Sequence, residues 1–159
     1  MAELDNFEEK LKLFDQQTKQ LENDLNLEVI KWEGIIRTCS NGIRGNIKNL
    51  PEVDSEITNY KQLVDSDIRK YALMLHKDNA AIKPLKKKRF EFYSTNYQIK
   101  LKNSSDIKGL VEADIARIQY KIDLLDTHIN FLRDTSSNLK NLGYSYKNRL
   151  ELLQILGLD

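Results

Sequence analysis

ADIARIQYKIDLLDTHINFLRDTSSNLKNL, residues 113–142, sets Ile115, Ile118, Ile122, Leu125, Ile129, Leu132, Ser136 and Leu139 at alternating steps of three and four. That spacing keeps one apolar seam on one face of an α-helix, and the register extends through Gly143, Tyr146, Leu150 and Leu153. A helix of about 40 residues is roughly 60 Å long at 1.5 Å per residue, longer than a small globular core, so it needs partner helices along its length. Ile115, Ile118, Ile122, Leu125, Ile129, Leu132, Leu139, Leu150 and Leu153 are therefore read as an oligomerisation seam. Ser136 and Gly143 are poor seam residues. They predict close approach to another backbone or, at Gly143, a helix end.

Working outward, the same periodicity recurs twice. Leu4, Phe7, Leu11, Phe14, Thr18, Leu21 and Leu25 step by three and four, and Trp32 and Ile35 continue the register past an interruption at Glu28. This predicts a first helix to about Arg37, ended by SNGIRGN (residues 40–46) and Pro51. Ile57, Tyr60, Leu63, Val64, Ile68, Tyr71 and Leu75 mark a central helix, with Asp54 or Ser55 suited to cap its start. Pro84 either kinks that helix or opens a new one. Asn103, Ser104 and Ser105 form the next break, with Ser104 or Ser105 as N-cap. The expected architecture is all-α: long helices in helical hairpins with coiled-coil packing, within an oligomeric helical assembly. One domain, 1–159, holds an acidic N-terminal helix (1–39), a central or kinked helix with a basic segment (52–102) and a C-terminal oligomerisation helix (104–157).

Composition agrees with this. Six Gly and two Pro in 159 residues leave little turn chemistry for a many-stranded sheet. The lone Cys39 cannot form an intramolecular disulfide and no secretory leader is evident, so a reducing cytoplasm is the expected compartment. No stretch approaches the roughly 20 apolar residues of a membrane span. The net charge of +1 conceals an opposition between segments. Residues 1–33 carry nine acidic side chains against four lysines, whereas 82–102 carry seven basic ones against Glu91 alone.

Catalytic and metal chemistry find little support. His76 and His128 lie on different elements, Cys39 is isolated, and no C-x-x-C, H-E-x-x-H or phosphate-cradling glycine loop is present. Asp123 and Asp126, three apart, read as a solvated face. No enzyme, cofactor or metal is expected. The segment KKKRFEFY, residues 86–93, is different. Lys83, Lys86, Lys87, Lys88 and Arg89 fall within seven residues and lead into Phe90, Phe92, Tyr93 and then Tyr97. Cations release condensed counterions from phosphates, and aromatic faces stack on bases that only a single strand leaves open. The plainer alternative keeps the lysines as a solvated face and packs Phe90, Phe92 and Tyr93 inward.

The chain resembles the UvsY family, recombination mediators of tailed phages that bind single-stranded DNA and help load a RecA-like recombinase. KKKRFEFY is similar to that family's Leu-Lys-Ala-Arg-Leu, acidic residue and paired tyrosines. ADIARIQYKIDLLDTHINFLRDTSSNLKNLGYSYKNR, residues 113–149, is similar to its C-terminal helix, with Gly143, Tyr144 and Lys147 on a Gly-Phe-x-Ile-Lys pattern. The resemblance covers about residues 55–157. It implies that Lys87 and Arg89 are the main phosphate contacts, and that the protein forms a ring-like hexamer or heptamer through its last helix. It also implies two partners, a RecA-like recombinase and a single-stranded-DNA-binding protein, and places the protein in the host cytoplasm if it is phage-encoded. Lys86 and Lys88 stand where the family has Leu and Ala, which makes this segment more basic. The acidic N-terminal helix is expected to compete with DNA for that segment or to dock on a neighbour's. The rival reading is a coiled-coil scaffold or tether that binds protein partners only.

Overall fold

A computed structural model describes residues 2–95 and 104–158, with side chains from residue 6 onward. Tyr97, Lys100, Lys102, Asn103 and the side chain of Leu4 lie outside the described residues. The described chain is all-α: α1 (Ala2–Arg44), a 3-10 turn (Ile47–Asn49), α2 (Leu50–Thr95) and α3 (Ser104–Ile155). The seams read from sequence are the faces that turn inward. Along α1, Phe7, Leu11, Phe14, Thr18, Leu21, Leu25, Trp32 and Ile35 are all buried or half-buried, and along α2 only Leu63 of the periodic set is exposed.

The structure fixes three of the expected boundaries. Helix α1 continues through Ser40–Asn41–Gly42 to Arg44, so the break falls at Gly45. Gly42 is inside the helix because α1 and α2 approach closely there: a Cβ at this position would lie 2.9 Å from Val53 Cγ2. The end of α1 is finished by Arg149 of α3, whose guanidinium donates to the Ile43 carbonyl and, at 2.8 Å, to the Gly45 carbonyl. Those carbonyls lack partners within the helix, and a cation there also complements the helix dipole. The Asn46 side chain then accepts from the Lys48 N–H at 3.1 Å, capping the 3-10 turn that leads directly into α2. Helix α2 therefore begins at Leu50, ahead of Asp54 and Ser55.

The second is Pro84, which lies inside α2, so no new helix opens there. Its ring deprives the Ala80 carbonyl of a donor, and both residues are exposed to solvent. The third is Gly143, which sits inside α3 with nothing within 4 Å of where a Cβ would stand, and does not end the helix. The chain stops turning at Gly157 (φ +62°), where the Leu158 N–H bonds the Leu153 carbonyl (3.0 Å) and the Gly157 N–H bonds that of Gln154 (3.1 Å). This is the paired-bond C-cap that favours glycine.

Contacts divide the chain into two compact units, one of Met1–Glu22 with Tyr71–Thr127 and one of Asn23–Lys70 with His128–Asp159. In the first, Tyr93, Val111 and Ile115 form a buried cluster, flanked by Phe7, Ile82, Leu85 and Phe92. In the second, Cys39, Ile43, Val53 and Ile57 do so, flanked by Ile35, Tyr60, Leu142 and Tyr146. The second unit also buries Trp32, whose ring meets Tyr60 edge-on at 6.3 Å. Polar side chains also join its helices. Glu28, the residue that interrupts the α1 register, places Oε2 2.8 Å from Nε2 of the buried His128. Asp65 accepts from Lys61 at 2.9 Å and from Ser136 at 2.8 Å. Among the described residues, no helix is long and apolar enough to cross a membrane.

Candidate functional site

The basic segment occupies the last turns of α2 within the first unit, and the helix sorts its residues by face. At about 100° per residue, Ile82, Leu85, Arg89, Phe92 and Tyr93 share one side. They are the ones the structure buries or half-buries. Lys83, Lys86, Lys87 and Phe90 are exposed and span roughly 100° of the helix, with Lys86 at the border of the inward side, and Lys88 is exposed on the other flank.

The aromatic residues thus part company. Tyr93 is 6% exposed, and its hydroxyl donates to Asp114 Oδ2 of α3 at 2.7 Å. Phe92 stacks against Phe7 of α1, ring centroids 4.8 Å apart. Both pack inward. Phe90 does not: it is 41% exposed, with Lys83, Lys86 and Lys87 at seven, four and three residues before it. Leaving a phenylalanine in water forfeits a large part of the roughly 1.5–3 kcal/mol that burial of such a ring contributes. A flat apolar face with exposed lysines on the turns before it suits a stacked base.

Arg89, expected from the resemblance to contact phosphate directly, is half-buried. Its Nε lies 3.7 Å from Asp114 Oδ2, beyond hydrogen-bond distance, and its guanidinium sits 4.1 Å from the centre of the Phe7 ring. Asp114 thereby ties the basic end of α2 to α3 through Tyr93 and draws Arg89 inward electrostatically. Lys83, Lys86, Lys87 and Lys88 remain exposed.

The expected oligomerisation seam lies elsewhere than on the surface. Leu125, Leu132 and Leu139 are 0% exposed, Ile129 1%, Ile122 5%, Ile115 and Leu153 8%, while Ile118 and Leu150 are half-buried. These positions are filled within a single chain, so the partners that a long apolar stripe requires are the chain's own helices. Apart from Tyr120 and Tyr144, the exposed large apolar side chains of α3 and the turn after it gather at its end, at Leu152, Ile155, Leu156 and Leu158.

Asn6, Phe7 and Lys10 of α1 border the basic segment, together with Lys88, Arg89 and Phe92, around a cleft of about 420 Å³. Sequence reading passed over these three because they lie some eighty residues away. Their only signal is a lysine placed one turn after a seam phenylalanine in an acidic stretch. Among the described residues of that acidic helix, the charged side chain that lines the cleft beside the basic segment is Lys10.

The remaining candidates stay structural in character. Cys39 is buried in the second unit, and burial, then the nearby Glu56, pushes its thiol up, which keeps it protonated at neutral pH. His128 is buried against Glu28 and stacks on Phe131. Among the described residues, no group of three His, Cys, Asp or Glu side chains comes together to hold a metal. No family model, curated protein or solved structure matches the chain.

Proposed function

We propose that this protein is a non-enzymatic single-stranded-DNA-binding recombination mediator that assembles into an oligomer and helps load a RecA-like recombinase. The observation that carries the reading is the exposed stripe Lys83, Lys86, Lys87 and Phe90, where three exposed lysines occupy the two turns before one exposed aromatic ring. Cations engage the backbone and the ring offers a stacking face, a combination that binds unpaired strands with little regard to sequence. The resemblance of the basic segment and of α3 to the UvsY family supports the remainder: the recombinase, a single-stranded-DNA-binding protein as second partner, and action on DNA during recombination and repair. Mediators must let go as well as hold. Weak sites repeated in one assembly achieve both, because avidity holds the strand while each site exchanges.

With the α3 seam filled within the chain, copies join through the exposed apolar end of that helix, Leu152, Ile155 and Leu156. The same surface favours the rival reading, a scaffold whose partners are proteins alone, and one measurement separates the two. Anisotropy of labelled oligothymidylate is followed over a salt series. The variant Lys83→Ala/Lys86→Ala/Lys87→Ala should flatten the log–log salt slope by about 2, at roughly 0.7 for each phosphate no longer neutralised. Phe90→Ala should weaken binding by about 1–2 kcal/mol while leaving the slope unchanged, since stacking releases no counterions. A protein that binds no strand at low salt, or a triple variant with an unchanged slope, would leave the scaffold reading standing.

A further inference from the structure

We infer that the cleft between α1 and the basic end of α2 is a second subsite for a backbone phosphate of the strand, completed by Lys10 and Asn6 of the N-terminal helix. This rests on the single-strand reading above but concerns a different face of α2 and a different helix.

The lining is unusual in its charge. Lys10, Lys88 and Arg89 converge on one concavity, Asn6 stands one turn before Lys10, and among the described residues no carboxylate lines it. Glu8 and Glu9, the acidic side chains described on this turn of the helix, are exposed and take no part in the lining. Three cations brought together repel one another; Asp114, already accepting from Tyr93, lies 3.7 Å from Arg89 Nε. That Nε is buried and has no hydrogen-bond partner. An anion in the cleft relieves the repulsion, and Arg89, Lys10 and Asn6 offer donors to its oxygens.

The aromatic residues decide which part of a nucleotide enters. Phe7 and Phe92 are stacked on each other at 4.8 Å, and Arg89 lies over Phe7 at 4.1 Å. These rings are already engaged, so the cleft provides charge where the outward Phe90 provides a stacking face. A phosphate therefore belongs in the cleft and a base on Phe90. The two sites are joined around the exposed side of α2, where Lys87 stands roughly 60° from Phe90 and roughly 100° from Lys88 of the cleft; the shorter arc from Arg89 to Lys86 holds the inward Ile82 and Tyr93. The cleft volume of about 420 Å³ falls within the range of small-ligand sites, roughly 300–1,000 Å³.

The test compares Lys10→Ala with Lys12→Ala in the full chain. Both remove one exposed lysine from α1, but Lys12 points to a different side of the helix and does not line the cleft. With labelled oligothymidylate, Lys10→Ala should lower affinity roughly fivefold near 0.1 M salt and flatten the salt slope by about 0.7, with Lys12→Ala indistinguishable from wild type. Equal losses in the two variants, or no loss in Lys10→Ala, would overturn the subsite while wild-type binding leaves the outward stripe intact. Absence of binding by the wild type would overturn the single-strand reading itself. A second arm adds inorganic phosphate at matched ionic strength. A subsite for the strand keeps its Lys10 dependence; a site for free phosphate loses it, and that result also overturns the inference.

Discussion

Asp67 shows how much a single side chain on α2 depends on its surroundings. Burial, then the charge of Glu28, pushes its carboxyl above the ordinary value of 3.8, although Lys70, Lys31 and His128 pull it back. Below that ordinary value the carboxyl is protonated in both folded and unfolded chains, and no stability is lost. As pH rises through the raised folded-state value, the folded protein must release a proton it holds more tightly than the unfolded chain does, and stability falls. Asp67→Asn should therefore be more stable than wild type at pH 7, by less than about 1 kcal/mol for so solvated a group, with the difference disappearing below about pH 4. Urea denaturation at the two pH values measures this. Asp65, two residues earlier, has the opposite balance: burial raises it, but hydrogen bonds from Lys61 and Ser136 and the charges of Lys61 and Arg69 hold it below the ordinary range. An equal gain from Asp67→Asn at both pH values would show that the Asp67 effect is not electrostatic.

At the scale of the helix, the glycines separate what sequence reveals from what packing decides. Gly34 and Gly143 have nothing within 4 Å of where a Cβ would stand, whereas one at Gly42 would meet Val53 at 2.9 Å. Replacing Gly34 by Ala should gain about 0.5–1 kcal/mol from backbone entropy and helix propensity. Gly42→Ala gains the same and loses about 1–3 kcal/mol to overpacking, so it should come out destabilised. Thermal denaturation of the two variants should move the midpoint in opposite directions, and Val53→Ala should relieve the Gly42→Ala defect. Sequence offered no such distinction. SNGIRGN looks like a break throughout, because the helix signal there is tertiary: Val53 across the hairpin and Arg149 bonding the last carbonyls. Helix type and the apolar registers were legible since both depend on spacing alone. The phase of the basic segment was not. Phe90 and Phe92 differ only in which side of one turn faces Phe7, a residue some eighty positions away.

For the molecule as a whole, the same ambiguity governs assembly. An apolar stripe such as Ile115 to Leu153 asks for a partner helix, and nothing in its residues says whether that helix comes from the same chain or another copy. Here the stripe is filled within the chain, so a charge placed on it tests folding. Leu125, fully buried, would carry an unpaired carboxylate as Glu and should unfold the protein. Assembly is tested where apolar side chains are still in water. Leu152 and Ile155 are 59% and 81% exposed, so Leu152→Asp/Ile155→Asp removes apolar surface without creating a cavity or a buried charge. The double variant should keep its helical signal and its melting midpoint within a few degrees, sediment at a lower mass, and bind oligothymidylate with the affinity of a single protomer. Multivalent holding would then account for a loss of tenfold or more with no change at any cationic residue, since linked sites multiply affinity by effective concentration. An unchanged sedimenting mass would place the interface between copies on another surface. A lowered mass with undiminished affinity would instead mean that one protomer holds the strand alone, and that the stripe and the cleft on α2 suffice together.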